Sequence, residues 1–561
     1  MNDRMYYSVS VEKQGQVNEG DIYALRKATK VNEDDPALQK FKRNRYFYYS
    51  KTPASNNIQR LRQRYNLKVV RTPPFKGASN IVIPLVRYVC QAVAERLFLS
   101  HFSSEPYVLI RPVRTQTNVA LIEQILFHYQ RKQSLKEWYR IITDAVLLGT
   151  GVGYKTLLTP QKDEINTPTP YTKYVPVEDF YIYPETSSLR DVIAVGHREV
   201  MSLKEIVETY DLPYDLVDKV IGSALPPADT DTLRVETANA GWGVAEVYRT
   251  VFYCDGEYYE VHELRNPSVF LLFRKYPYKV MPYILYTIMP SASVFGTGLG
   301  QLLEPFEEEI TELHNLRLDN HQLTNLPIFK VRKGSTAQKV DVFEAGMKIP
   351  VETLSDIEPL LMPQQFRGLI DEERALFDLA LQVSGLNEIV LGQQAKPYST
   401  AYAVETALLE GAVRFKSFFS SGREAIKRSS LIDLLMLKKE ADEVYVSSLI
   451  SAPSPLLSIS MEDIIRETEF IIEPNTTSIN RETDKQRWLI VRQLFQDTLT
   501  PTGRWEVDAH ILRLMGITNV EVFIGEKPEG EPLPPAMMTT MSPFSIPMNM
   551  PMPEGTGGMP V

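Results

Sequence analysis

The stretch Gly149-Thr150-Gly151-Val152-Gly153-Tyr154-Lys155-Thr156 holds the residue types of a phosphate-binding loop. Such a loop needs a glycine directly before the lysine, so that backbone amides and the ammonium converge on one phosphate. Tyr154 stands there instead, and no G-x-x-x-x-G-K-[ST] arrangement occurs in the chain. The stretch also follows a helical pattern, not a strand. It reads as a tight turn between helix and strand. Gly296-Thr297-Gly298-Leu299-Gly300 lacks the preceding strand unit of a dinucleotide fingerprint and reads as a turn that opens a helix. His314 and His321 sit seven apart on one predicted helix and can share a face, but no H-E-x-x-H arrangement surrounds them. Cys90 and Cys254 are too few for a disulfide framework or a cysteine-built zinc site. Neither sits in a Cys/His context suited to a nucleophile. No catalytic residue, metal or cofactor is expected, so the chain is not read as an enzyme.

The carboxylates are more informative. Glu304, Glu308 and Glu312 recur every four residues, joined by Glu307 and Glu309. Like charges at that spacing destabilise an isolated helix. Two readings stand: a solvated face, or a stripe that faces a partner subunit or an acidic channel. Arg367, Asp371, Arg374 and Asp378 alternate in sign along a later helix, which supports that helix or pairs it with a neighbour. Near the N-terminus, residues 42–51 are basic and aromatic, with Arg43, Arg45, Tyr46, Phe47 and Tyr48. They could touch nucleic acid through charge and stacking. A half-buried helix is the favoured reading.

The elements that must position these residues follow from periodicity. Residues 1–60 are polar, with few periodic apolar positions, and read as an N-terminal arm with some helix. Helices are predicted over 84–100, over 121–148 as one or two segments, and over 203–210. Residues 174–184 are strand-like. Residues 245–289, rich in Val, Tyr, Phe and Ile with turns at Asp255-Gly256 and Asn266-Pro267, predict antiparallel strands. Leu303, Phe306, Ile310, Leu313 and Leu316 mark a helix over 299–325, about 40 Å long. Pro305 is tolerable near its start. A short β-like insert, 326–363, comes next, followed by a second long helix over 364–385. A polar segment, 386–399, separates it from the longest helix, 400–439. Gly411 and Gly422 inside that helix suggest a kink or close packing. A strand is expected near 470–474 and helix over 480–516. From 526 onward the chain is rich in Pro, Met and Gly and reads as a flexible tail.

The chain has 561 residues, 43% hydrophobic and 23% charged, with a net charge of −9. Several domains of mixed α+β class are expected. No apolar run is long enough to span a bilayer, and the first residues lack the layout of a signal peptide. A soluble protein made in a cytoplasm, with no membrane partner, is expected. The acidic balance argues against a protein that grips DNA by neutralising phosphates.

The order of parts resembles the portal proteins of tailed bacteriophages, over about residues 61–520. Pro74-Phe75-Lys76-Gly77-Ala78-Ser79-Asn80-Ile81 and Val175-Pro176-Val177-Glu178-Asp179-Phe180-Tyr181-Ile182-Tyr183-Pro184 are similar to segments of podovirus and siphovirus portals. Gly296 to Pro327, with Asn315, Asp319 and Asn325, is similar to the family's first stem helix. More specific is the sequence of helix, small β insert, helix, polar loop and long kinked helix.

The resemblance implies a portal fold, with a wing from 61–298 and 400–479, stem helices at 299–325 and 364–385, and a clip at 326–363. It also implies a tunnel loop at 386–399, a mainly helical crown at 480–525 and a tail at 526–561. It implies a ring of identical subunits, usually dodecameric, at one capsid vertex, through which double-stranded DNA passes during packaging and ejection. The ring would also be a possible nucleator of capsid assembly. Lys330, Arg332, Lys333 and Lys339 would form the clip's docking surface for the terminase large subunit and later for head-tail adaptor or tail proteins. Asn387, Gln393, Gln394 and Lys396 would face DNA. Major capsid and scaffolding proteins are further implied partners, and the implied location is the virion, after assembly in the host cytoplasm. The acidic charge fits, because a pore that held phosphates tightly would make each translocation step costly. The alternatives are another head-tail connector or minor capsid protein and, less favoured, a nucleotide-binding enzyme.

Overall fold

The computed structural model describes residues 18–49, 55–69, 71–73, 78–102, 107–112, 119–131, 135–158, 168–186, 189, 191–221, 244–265, 267–325, 329–334, 353, 357–359, 366–384, 401–441, 443–450, 460, 464–465, 468–471, 488, 492, 501–514 and 524–525. The chain divides into two compact units, 1–474 and 475–561.

The first unit is mixed helix and sheet. Its helices are α1 (Glu19–Ala28), α2 (Pro36–Tyr49), α3 (Ser55–Tyr65), α4 (Leu85–Phe102), α5 (Val119–Arg131), α6 (Leu135–Leu148), α7 (Leu203–Tyr210), α8 (Tyr214–Ile221), α9 (Leu299–Asn325), α10 (Phe366–Ser384), α11 (Ala401–Glu440) and α12 (Glu443–Ile450). Its strands are β1 (Leu109–Pro112), β2 (Thr150–Leu158), β3 (Thr169–Val175), β4 (Phe180–Tyr183), β5 (Ala194–Ser202), β6 (Val244–Cys254), β7 (Glu257–Leu264), β8 (Val269–Lys275), β9 (Tyr283–Thr287), β10 (Phe329–Val331), β11 (Ile357–Pro359) and β12 (Thr468–Ile471).

Five strands form an antiparallel meander in the order β4-β5-β6-β7-β8. Asp255 and Gly256 both take positive φ between β6 and β7, as a two-residue hairpin turn demands. The helices expected as an N-terminal arm cover this sheet. Leu25 of α1 is buried with Met201, Ile206, Val247 and Leu264. Leu38, Phe41 and Tyr48 of α2 pack with Ala194, Phe252, Val261 and Phe270. Residues 19–49 are therefore part of the sheet body, and apolar periodicity was too sparse there to show it. The basic, aromatic stretch is the half-buried helix: Arg45 and Tyr49 both bond Glu263, although Tyr46 and Phe47 stay exposed.

A second sheet, β3-β2-β9, carries the main core. Helix α6 lies against it through Trp138, Ile141, Ile142 and Ala145, with α4 packed alongside. α11 crosses it, and Arg428 donates to the carbonyls of Tyr283 and Met281. Strand β12 closes this unit by pairing with β1, a partner far away in sequence. β10 pairs antiparallel with β11, so the 326–363 insert holds the small β element expected of it. α9 and α10 reproduce the two helices predicted on either side. Pro305 and Gln301 both face solvent, where the carbonyl left without a helical donor meets water.

In the second unit, α13 (Pro501–Leu514) is held by an Arg492–Asp508 ion pair at 2.5 Å. Trp505 Nε1 donates to the Gly525 carbonyl at 2.9 Å. No helix among the described residues is long and apolar enough to cross a membrane.

Candidate functional site

The region singled out by the sequence centres on α9. Its buried polar face is a ladder. Asp319, Asn315, Thr311 and Glu307, each one turn from the next, accept the backbone N–H groups of Ser79 (2.6 Å), Ile81 (2.9 Å), Ile83 (3.1 Å) and Val86 (2.8 Å). The Asn315 amide also donates to the Ile81 carbonyl at 2.7 Å. The match is geometric. Four helical residues rise about 6.0 Å, and two extended residues span about 6.6 Å. Among the described residues no strand pairs with 79–83, so the helix side chains supply acceptors for these part-buried amides. The last rung, Glu307, takes an N–H of the first turn of α4, which no intrahelical acceptor serves. Burial pushes the Glu307 carboxyl above its usual range, against the pull of Val86 N–H and Arg64.

The carboxylate stripe finds partners inside the chain. Arg64 of α3 donates to Glu304 (2.9 Å), Glu307 (3.1 Å) and Glu308. Arg60 reaches Glu304 at 2.6 Å, and Arg71 takes Glu312 with two guanidinium nitrogens. Glu304 is buried, whereas the Glu308 and Glu312 side chains keep 59% and 57% exposure. The carboxylate stripe thus holds α3 and Arg71 to α9, while the outer edge at Glu308 and Glu312 still faces solvent. The arginines lie some 240 residues upstream, a distance that helical spacing cannot see.

α10 returns along α9, and the contact residue is Glu373. It pairs with His314 at 2.9 Å and Arg317 at 3.2 Å. Of the residues expected to pair this helix, Asp371, Arg374 and Asp378 are exposed, and the Arg367 side chain lies outside the described residues. In the 326–363 insert, Lys330, Arg332 and Lys333 are exposed at β10 and the turn after it, with Lys330 opposite Glu358 in register. Lys339 lies outside the described residues, as do Asn387, Gln393, Gln394 and Lys396 of the expected tunnel loop.

The two glycine-rich stretches prove to be one contact. Gly149 (φ +99°) ends α6, and a Cβ there would sit 2.2 Å from the Gly296 carbonyl oxygen. A Cβ on Gly298 would meet the Leu147 oxygen at 2.2 Å. The turns must be bare so that the start of α9 can seat on the end of α6. Lys155 has no route to a phosphate. Its side chain is fully buried on β2 and bonds Asp433 of α11 at 2.6 Å. Burial lowers its pKa against the pull of that carboxylate.

Gly422, midway along α11, is the close-packing glycine of the two expected there. A Cβ on it would lie 2.3 Å from His101 Nε2 at the end of α4. Gly411 falls where side chains are outside the described residues. The His101 ring stacks on Phe419 with centroids 4.3 Å apart and reaches the Tyr286 hydroxyl at 3.0 Å. Burial, with Arg423 nearby, pushes its pKa down to about 3, so the imidazole stays neutral. No cluster of three or more His, Cys, Asp or Glu positioned for a metal occurs among the described residues. Comparison with protein-family models and with curated proteins finds no match to this chain.

Proposed function

We propose that this chain is the subunit of a tailed-phage portal, a ring of identical copies that conducts double-stranded DNA without gripping it. The observation that carries the reading is the α9–insert–α10 unit. Two long helices run together, joined by an insert with its own small antiparallel pair, and a 40-residue helix follows. That arrangement suits a stem with a docking clip at its end. The exposed Lys330, Arg332 and Lys333 suit acidic partner surfaces there, in this reading the terminase large subunit and then an adaptor or tail protein. Contacts with major capsid and scaffolding proteins belong to the same reading.

Two further features agree with it. The burial of Lys155 leaves the phosphate-loop look-alike unable to reach nucleotide, so energy for translocation would come from a separate motor. The carboxylates Glu308 and Glu312 keep their outer edges in solvent, which suits a wall along which a polyanion slides. The test is negative-stain electron microscopy of the purified chain. Class averages should show closed rings with a central hole wide enough for a duplex. Monomers, or open sheets of subunits, under conditions where the chain is folded would overturn the reading.

A further inference from the structure

We infer that α4 is a connecting rod that couples α9 to the middle of α11, two helices separated along the chain by the insert, α10 and residues 385–400. The two ends of α4 are gripped differently. At its start, Glu307 of α9 holds Val86 N–H, and the ladder of Thr311, Asn315 and Asp319 fixes the extended lead-in from 79 to 83. At its end, His101 is wedged against α11, stacked on Phe419 and seated over the bare backbone of Gly422. Tyr286 ties the same place together, since its hydroxyl meets His101 at 3.0 Å and donates to the Phe418 carbonyl at 3.4 Å.

Between these grips α4 contains neither Gly nor Pro. From Val86 to His101 the rise is about 22 Å, without a point where a helix readily bends. Val86, Val89, Cys90, Val93, Ala94 and Leu97 are buried along it, so the rod lies in the core and cannot slide without repacking. The ladder is specific for backbone, so it fixes the register of the lead-in on α9 and not only its proximity. A displacement of α9 is therefore delivered through α4 to residues 418–426 of α11. That this joins a stem helix to the helix behind a DNA-facing loop rests on the portal reading. The coupling itself does not.

Hydrogen exchange followed by mass spectrometry on the full chain tests it. Thr311→Val and Asn315→Leu each remove a rung while keeping the helix. Either should raise exchange of the 79–86 amides about tenfold, the factor for losing roughly one hydrogen bond. Exchange at 418–426, which touches no rung, should rise with it. Gly422→Ala should act in reverse and loosen 79–86. Arg374→Ala, on the exposed face of α10, should move neither segment. If the rung variants loosen 79–86 alone, or if Arg374→Ala loosens 418–426 as much as they do, the rod is not the coupling element. Because exchange is read within one chain, this outcome is separable from whether rings form.

Discussion

Asn315 treats Ile81 as a neighbouring strand would. Its side-chain amide accepts the Ile81 N–H at 2.9 Å and donates to the Ile81 carbonyl at 2.7 Å. A second bond from the same amide, to the Thr311 carbonyl at 2.7 Å, locks the rotamer. Asn315→Asp keeps the acceptor but turns a carboxylate toward two carbonyls. At neutral pH this variant should lose about 2–3 kcal/mol, the scale for an unsatisfied buried charged group. Part should return on acidification, when a protonated carboxyl can donate. Urea unfolding at pH 7 and pH 4.5 measures both.

The Lys155–Asp433 pair is buried at both ends. Lys155→Met leaves the carboxylate without its cation and should cost about 3–5 kcal/mol. Adding Asp433→Leu should recover most of that loss, because an apolar pair needs no desolvation. Denaturation midpoints of the two single variants and the double variant give the comparison. Purified wild-type protein should hydrolyse no nucleotide. Hydrolysis that vanishes with Lys155→Ala would contradict both the burial and the portal reading.

Arg60 and Arg64 share the carboxylate of Glu304 but not its surroundings. Arg60 is 56% exposed, so Arg60→Met should change stability by less than about 1 kcal/mol. Arg64 is buried and pairs with the buried Glu304 and Glu307 as well as the exposed Glu308, so Arg64→Met leaves Glu307 without its cation in the interior. A loss of about 3 kcal/mol is expected, read as the difference between the two thermal midpoints.

Acid sensitivity should centre on the β5–β7 region. Burial pushes the Glu199 carboxyl up, but Arg249 and Lys173 outweigh it and hold the pKa at about 2. Glu260 is likewise raised by burial and brought down to about 2 by His262 and Arg274. Both folded values lie below the unfolded 4.5. Their stabilisation is therefore present above pH 4.5 and lost as pH falls toward 2. Stability plotted against pH should drop through that window, and Glu199→Gln with Glu260→Gln should flatten the drop.

Much of the helical skeleton was legible because it rests on local rules. Leu303, Phe306 and Ile310 repeat at helical spacing and bury the same side of α9, so its extent followed from the pattern. The Asp255-Gly256 turn was legible for the same reason, since two positive φ values select those residues. Strand β5 is not legible in the sequence, because 194–202 lacks clear alternation and gains its place by pairing with β4 and β6, one on each side. Glu373 does not stand out from its neighbours in the sequence, because charge alternation marks a helix surface and not which side of it faces another helix.

The amino-acid order alone determined that Tyr154 before Lys155 breaks the phosphate-loop pattern and that Gly422 marks a kink or a close packing in a helix. The tertiary structure decided what those residues touch. Asp433 for Lys155, Ile81 for Asn315 and Arg64 for Glu304 lie between about 230 and 280 residues apart. Periodicity reports only on neighbours within a few turns. Which buried polar group meets which is fixed by how separate elements pack, because each must find a partner when water is excluded.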